Sequence, residues 1–534
     1  MALRLAQAGA RVVVLEKGPW YREADFSHDE IETCRRDFFV PFVSDEPHLR
    51  PGPDGRPRKS NFGWTAHCVG GGTVHWSGFV HRLHPEDFAL ARRYGRLEDA
   101  TLADWPITYR TLAPYYDVAE REIGVSGKAG TYPNEPPRAG PYPLPPVLEN
   151  PLSSLIDRGA KKLGLHPFVT PRAILSQPYQ GRKACAYCDF CGSYGCETGA
   201  KGSTAAALIP RAVATGRCEV RPHAMAFEVA SGKDGRVTGV RYYDASGQAV
   251  MQRARFVVVS CTAIESARLL LNSKSARHPN GLANGSGLVG KNLTFSTLAK
   301  VYGVFERAKL PEALRPRHKI HFLQRSVQDF YFLEEKKGGY DKGGTLNFIL
   351  PHRNPIFTAD RLSKRHRPRL WGEALYAELR RYYDEVHEIE CEVFGEYLPS
   401  PRSEVRVDGE VKDRFGIPVA TVRAEVHPLD YANVQLLAAK AEEVLRAAGA
   451  QKVGYESVGG ITDVLQHGTC RFGDDPAASV LDRNCRAHEV DNLYVVDGSF
   501  MPTSGGVPTT LTILANSFRV ADHLVRRLKG KRDP

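Results

Sequence analysis

Four of the chain's eleven cysteines, Cys185, Cys188, Cys191 and Cys196, fall in the run CAYCDFCGSYGC, spaced C-x2-C-x2-C-x4-C. Thiolates this close, on a loop carrying two glycines, can turn toward a single centre. The other cysteines are scattered, so the run is not part of a general disulfide framework. Several thiolates at short, turn-forming spacing are what an iron–sulfur cluster of the 3Fe–4S or 4Fe–4S type requires. Structural zinc competes with that reading, although zinc sites usually draw on two separated Cys/His pairs. Local disulfides or free thiols are the third reading. A cluster implies electron transfer, and therefore an electron donor elsewhere in the chain.

A donor site is suggested at the start of the sequence. MALRLAQAGA reads as the end of a helix stopped at Gly9, and RVVVLEKG as a buried strand with an acid at its tip. This is the second half of a dinucleotide-binding βαβ unit, with Glu16 placed to accept hydrogen bonds from an adenosine ribose. The first strand and Gly-rich turn of such a unit would precede Met1, so FAD retention is expected to be weak. An ordinary helix–strand pair with a solvated Glu is the plain alternative. Further on, GGGTVHWSG at 70–78 is a Gly-rich turn among aromatics, able to bring backbone close to a flat or phosphorylated ligand.

These groups must be positioned by a large molecule. The chain has 534 residues, 42% hydrophobic and 25% charged, ordinary for a globular protein of two to four domain-sized units. It contains no run of about 18 apolar residues, so no membrane span is expected, and no signal peptide is visible. The compartment stays open: soluble, either cytoplasmic or exported with a partner subunit. The net charge is +11, with basic runs at 361–369 and 526–532. No basic face with interleaved stacking aromatics accompanies it, which argues against nucleic acid and for solvated surface or an acidic redox partner. Residues 128–150 read as a Pro/Gly-rich surface linker. Residues 218–261 read as a meander ending in a buried strand, followed by helices over 263–271 and 429–447.

Five blocks together resemble the glucose–methanol–choline (GMC) flavin oxidoreductases, especially the gluconate 2-dehydrogenase-like and sugar dehydrogenase flavoprotein subunits. They are MALRLAQAGARVVVLEKG, VGGGTVHWSGFVHRLHPEDF, WPITYRTLAPYYDVAEREIGVSG, SCTAIESARLLLNS, and the C-terminal HGTCRFGDDP with NLYVVDGSFMPTSGGVPTTLTILANSFRVADHL. The resemblance implies an α/β (overall α+β) architecture: a Rossmann-like FAD-binding domain with an inserted antiparallel-sheet substrate domain. The implied pieces are 1–80 and 181–295 for the flavin domain (the second including the cysteine loop), 81–180 and 296–425 for substrate, and 426–534 for a C-terminal flavin and catalytic segment. It further implies that Glu16 holds the ribose, Gly71, Gly72 and Thr73 line the pyrophosphate and flavin edge, Ala226 meets the adenine, and Asp497 and Gly498 approach the ribityl chain and phosphates. For Asp497 the alternative is a turn or N-cap residue.

The implied chemistry is hydride transfer from a carbinol carbon to the flavin, with a protein base taking the hydroxyl proton. The family's usual His position is Leu465 here, with His467 beside Gly468 instead, and Pro508 stands where an Asn or His is expected. His467 is therefore the catalytic candidate, with Thr509 and Thr510 as hydroxyl partners to substrate or flavin; helix capping is their plain alternative. His427, His488 and His75 are reserve candidates. The expected function is an FAD-dependent dehydrogenase of a sugar, sugar acid or polyol, with an acceptor other than NAD: a cytochrome or small redox subunit reached through the cluster. A dioxygen-using alcohol oxidase and a non-catalytic flavoprotein-like scaffold are the alternatives.

Overall fold

The computed structural model describes residues 1–34, 38–64, 66–352 and 354–530; residues 531–534, the end of the basic tail, lie outside that range. The amphipathic start folds as read. Helix Ala2–Gln7 buries Leu3, Leu5 and Ala6, and strand Val12–Leu15 follows directly. That strand pairs in parallel with Cys218–Arg221, Val12 opposite Cys218 and Leu15 opposite Arg221. A second parallel pair joins Val257–Val259 to Leu493–Val495. β-Branched runs without polar alternation suit strands covered on both faces, and parallel pairing follows from the crossovers between them. The antiparallel meander Met225–Ser231, Val237–Tyr243 and Ala249–Arg253 lies between the two pairs in sequence. Helix Thr510–Leu528 packs into the same core through Leu511, Ala515 and Phe518.

The second body is sheet-rich. Six strands run in the order Lys452–Ile461, Thr297–Glu306, Val386–Gly395, Gly344–Ile349, Arg325–Val327 and Phe168–Val169. Helix Pro428–Ala447 covers one face, burying Val434, Leu437, Ala438 and Ala441 against Ala299, Val301, Ile389, Cys391 and Val393. A further six-stranded sheet ends in the short strand His467–Thr469, which pairs with Lys291–Thr294, Thr294 opposite His467. Both sheets mix distant segments of the chain, including Lys452–Ile461 from near the C-terminus and His48–Pro51 from near the start. The helices expected over 263–271 and 429–447 are Ala263–Asn272 and Pro428–Ala447.

The Pro/Gly-rich stretch 128–150 has the expected lack of regular structure, but it is no free linker. Leu144, Val147 and Asn150 are buried, and Tyr132 stacks on Phe168 at 3.7 Å. Its prolines fix an extended path, and its aromatic and aliphatic side chains pin that path to the surface as a strap. The basic run at 361–369 is likewise partly spent inside the protein: Arg361 and Arg365 pair with Glu388, Glu390 and Glu456. Among the described residues no helix is long and apolar enough to cross a membrane.

Candidate functional site

One large cavity, of about 1420 Å³, opens between these bodies. It exceeds the ~300–1,000 Å³ of an ordinary small-ligand pocket and has room for a dinucleotide. Glu16, Gly71, Gly72, Thr73, Ala226, His467, Asp497, Gly498, Thr509 and Thr510 all line it, although they are scattered through the chain. Glu16 sits past the tip of the first strand, where the Gly18 N–H donates to its carboxylate at 2.8 Å and burial pushes its pKa up. The Gly turn is tight. Gly70 has φ +101°, and a Cβ there would lie 2.7 Å from the Ala205 methyl. The Thr73 hydroxyl donates to the Gly70 carbonyl (2.7 Å) and accepts from the Thr204 N–H (3.0 Å), tying the turn to helix Thr204–Ala207.

Asp497 is an N-cap residue that also stands on the cavity wall. It caps the 3-10 turn Gly498–Phe500 by accepting from the Ser499 N–H at 2.8 Å, and it accepts from the Ser266 hydroxyl at 2.5 Å, yet it also faces the cavity. Burial raises its pKa against those hydrogen bonds. Gly498 cannot carry a side chain, because a Cβ would fall 2.2 Å from the Gln466 carbonyl. That contact presses the 497–500 turn onto the residue preceding His467.

His467 is fully buried, and its Nε2 lies 2.5 Å from the Thr509 Oγ1. Burial drives the imidazole down to about 3, against a smaller upward pull from the Phe295 backbone. The neutral ring, the form that accepts a proton, is therefore the resting one. Thr509 stands at the N-cap of helix Thr510–Leu528 but makes no capping bond with its side chain. The hydroxyl is spent on His467 instead, and it supplies the polar partner that Pro508 cannot. The first turn of that 19-residue helix opens onto the cavity at Thr510, where free N–H groups favour negative charge. Of the reserve histidines, His75 lines the cavity, His427 caps helix Pro428–Ala447, and His488 bonds Ser479.

The residues fit a flavin nucleotide. The acid at a strand tip, the close-approach glycines and the helix N-terminus are distributed along one cleft. Trp76 Nε1, on the same wall, is a buried donor without a partner among the described residues.

The four clustered cysteines do not line the cavity, but their loop abuts it: the Ser193 N–H donates to the His75 carbonyl at 2.7 Å, and both residues are on the cavity wall. None of these four is disulfide-bonded, so of the third reading only free thiols remain. Burial pushes Cys185 up to about 12 and Cys191 to about 11, with Lys201 and Arg172 opposing the rise at Cys191. Lys201 is buried beneath the loop, donating to the carbonyls of Cys191 (2.5 Å) and Tyr194 (2.7 Å). Lys201 and Arg172 thus place positive charge beside the thiol of Cys191. Tetrahedral zinc would need sulfurs about 3.8 Å apart, from Zn–S bonds of about 2.3 Å. Among the described residues, the one compact set of metal-ligating atoms is instead His28, Cys188 and Glu197, which holds a single cysteine of the run.

Residues on the far wall went unread in the sequence. Glu392 lines the cavity and pairs with Lys300 at 3.0 Å. The signal was available: Glu388, Glu390 and Glu392 alternate with Ile389, Cys391 and Val393, a period-2 strand whose polar face is turned inward.

Two family models described as GMC oxidoreductase match the chain, over residues 64–297 and 399–517. It is 32% identical to the 6'''-hydroxyparomomycin C oxidase of Streptomyces lividus, over 99% of this chain and 89% of that one. It is also 32% identical to the 2-methyl-1,2-propanediol dehydrogenase of Mycolicibacterium austroafricanum (99% and 93%) and 27% identical to the fructose dehydrogenase large subunit of Gluconobacter japonicus (99% and 96%). In fold it is similar to pyridoxine 4-oxidase, with a TM-score of 0.61 at 16% identity over 100% of this chain and 97% of that one. The chain is thus a member of the GMC oxidoreductase family, an FAD-dependent oxidoreductase acting on alcohols or sugars.

Proposed function

We propose that this protein is a dehydrogenase of a sugar, sugar acid or polyol, with His467 as the proton acceptor and an electron exit at Cys185, Cys188, Cys191 and Cys196. The carrying observation is adjacency: the cysteine loop and the cavity wall share the Ser193–His75 backbone bond. With Nε2 unprotonated, Thr509 donates to His467 and holds the resting ring, and the substrate hydroxyl displaces that donor and gives its proton to Nε2 as the carbinol is oxidised. Glu16, Ala226 and the 70–73 turn would hold the adenosine and phosphates, Asp497 and Gly498 the ribityl chain. Bound there, FAD would take the hydride. The four cysteines would hold an iron–sulfur cluster, which supplies one-electron carriage to an acceptor other than dioxygen. The related fructose dehydrogenase chain is named as a large subunit, which favours a partner subunit as that acceptor.

At least four relatives are named oxidases, so the test must separate the outcomes. Purified protein should contain iron and acid-labile sulfide, and Cys188→Ser and Cys191→Ser should lose both. Their flavin should still bleach anaerobically with substrate, while reduction of an external acceptor fails. Iron-free wild-type protein that turns over with dioxygen would establish the oxidase reading.

A further inference from the structure

The inward acidic face of strand Val386–Gly395 divides in two. At its outer end, Arg365 closes on Glu388 (2.6 Å) and Arg361 on Glu390 (3.1 Å), so these carboxylates are satisfied by the helix Pro355–Lys364 and the residue capping it. Glu392 lies outside that arrangement. It faces the cavity, as does Phe394 two residues on, and its ion partner is Lys300, directly opposite on Thr297–Glu306. The pair lies deep in the protein, yet 33% of the Lys300 side chain and 18% of Glu392 remain accessible. Glu392 itself stands on the cavity wall, with Lys300 beside it as its ion partner. Burial alone would raise the Glu392 carboxyl, but Lys300, with His352 and Arg172 behind it, holds the group below its ordinary value, while Glu392 raises Lys300. Both are charged at neutral pH. Along the chain, Thr294 is paired with His467 and Lys300 stands six residues further on, at most about 20 Å of extended strand.

We propose that Lys300 and Glu392 are the specificity-determining pair of this cavity, reading adjacent hydroxyls of a polyol or sugar while the carbinol to be oxidised sits at His467 and Thr509. This rests on the alcohol-oxidising reading above. A carboxylate and an ammonium 3.0 Å apart offer one acceptor and one donor at hydrogen-bond spacing, which two neighbouring hydroxyls can match. The pair neutralises itself, so it selects no net charge on the ligand. A plain aliphatic alcohol would strip water from it and return no hydrogen bond. Arg172, the nearby cation, is already engaged by the Ser77 carbonyl (2.7 Å) and the Phe79 ring (3.8 Å).

The test compares anaerobic flavin reduction by a 1,2-diol and by the mono-ol of equal carbon count, in wild type, Lys300→Met, Glu392→Gln and the double variant Lys300→Met/Glu392→Leu. Wild type should favour the diol. Each single variant should raise the diol KM by about 10–100-fold, with the mono-ol KM changed less than about threefold and kcat largely kept. The double variant removes the ion pair as a unit and leaves Glu390 to Arg361 and Arg172 to the Ser77 carbonyl, so it should fold even where a single one does not. An unchanged diol-to-mono-ol ratio in a flavin-loaded double variant would overturn the assignment. So would a preference for a carboxylate-bearing substrate that disappears only in Arg172→Leu. Failure of every alcohol to reduce the wild-type flavin would instead refute the underlying oxidoreductase reading, and this inference with it.

Discussion

At the scale of single residues, the burial of His467 decides how its chemistry responds to pH. A free imidazole titrates near 6.5, and a base with that value would lose activity through the mildly acidic range. With the folded value pushed down to about 3, the neutral proton-accepting form persists from high pH to about 3. Flavin reduction should therefore be flat from pH 5 to 8, with the imidazole limb appearing only as pH falls toward 3. A limb near 6.5 that vanishes in His467→Ala would contradict this. His467→Ala itself should slow reduction by about 10²–10⁴-fold with FAD content intact. Thr509→Val should cost about tenfold, the scale of one hydrogen bond to a ring that must be oriented. The residue types at 467 and 509 were legible in the sequence. Their contact was not, because the family pattern places an Asn or His where this chain has Pro508, and only the fold brings the next hydroxyl onto the ring.

At the scale of elements, the strand His467–Thr469 is held by glycine geometry. Gly468 has φ +75°, and a Cβ there would fall 2.0 Å from the Asn292 carbonyl of the neighbouring strand. That contact is backbone against backbone and cannot be relieved by a rotamer. Gly468→Ala should destabilise the protein by about 2–4 kcal/mol, from left-handed backbone strain plus overpacking. It should also displace His467, so flavin reduction should fall more than in Thr509→Val. A thermal midpoint within a degree of wild type would show that the strand tolerates the shift. Elements with one simple period were readable: the Val12–Leu15 strand, the helix Ala263–Asn272 and the helix Pro428–Ala447 all lie where their patterns place them. The alternating strand Val386–Gly395 was equally periodic, but alternation does not say which face meets solvent. Its acidic face is buried because Arg361, Arg365 and Lys300, supplied by other elements, neutralise it.

At the scale of the whole molecule, the sequence order of motifs announces the fold, but not how completely the two bodies share their strands and their cavity. Glu16, Gly72, Ala226, Glu392, His467, Asp497 and Thr510 come from segments hundreds of residues apart, yet face one space. A ligand that fills this space bridges all of those segments, and any ligand bound to the native state alone stabilises it by RT ln(1 + [L]/Kd), about 2.7 kcal/mol at a hundredfold excess over Kd. Protein stripped of flavin should therefore melt several degrees lower and regain its midpoint when FAD is added. ADP should recover only part of the shift, since in the proposed placement it would reach the Glu16 and Ala226 end but not His467 or helix Thr510–Leu528. The partial recovery is the informative arm: it divides the cavity into an anchoring half, which sets retention of the cofactor, and a reacting half, which couples cofactor binding to the sheet carrying Lys300 and Glu392. If ADP restored the full midpoint, the reacting half would contribute nothing to cofactor affinity. The His467 and Lys300–Glu392 walls would then have to be ordered by substrate rather than by flavin.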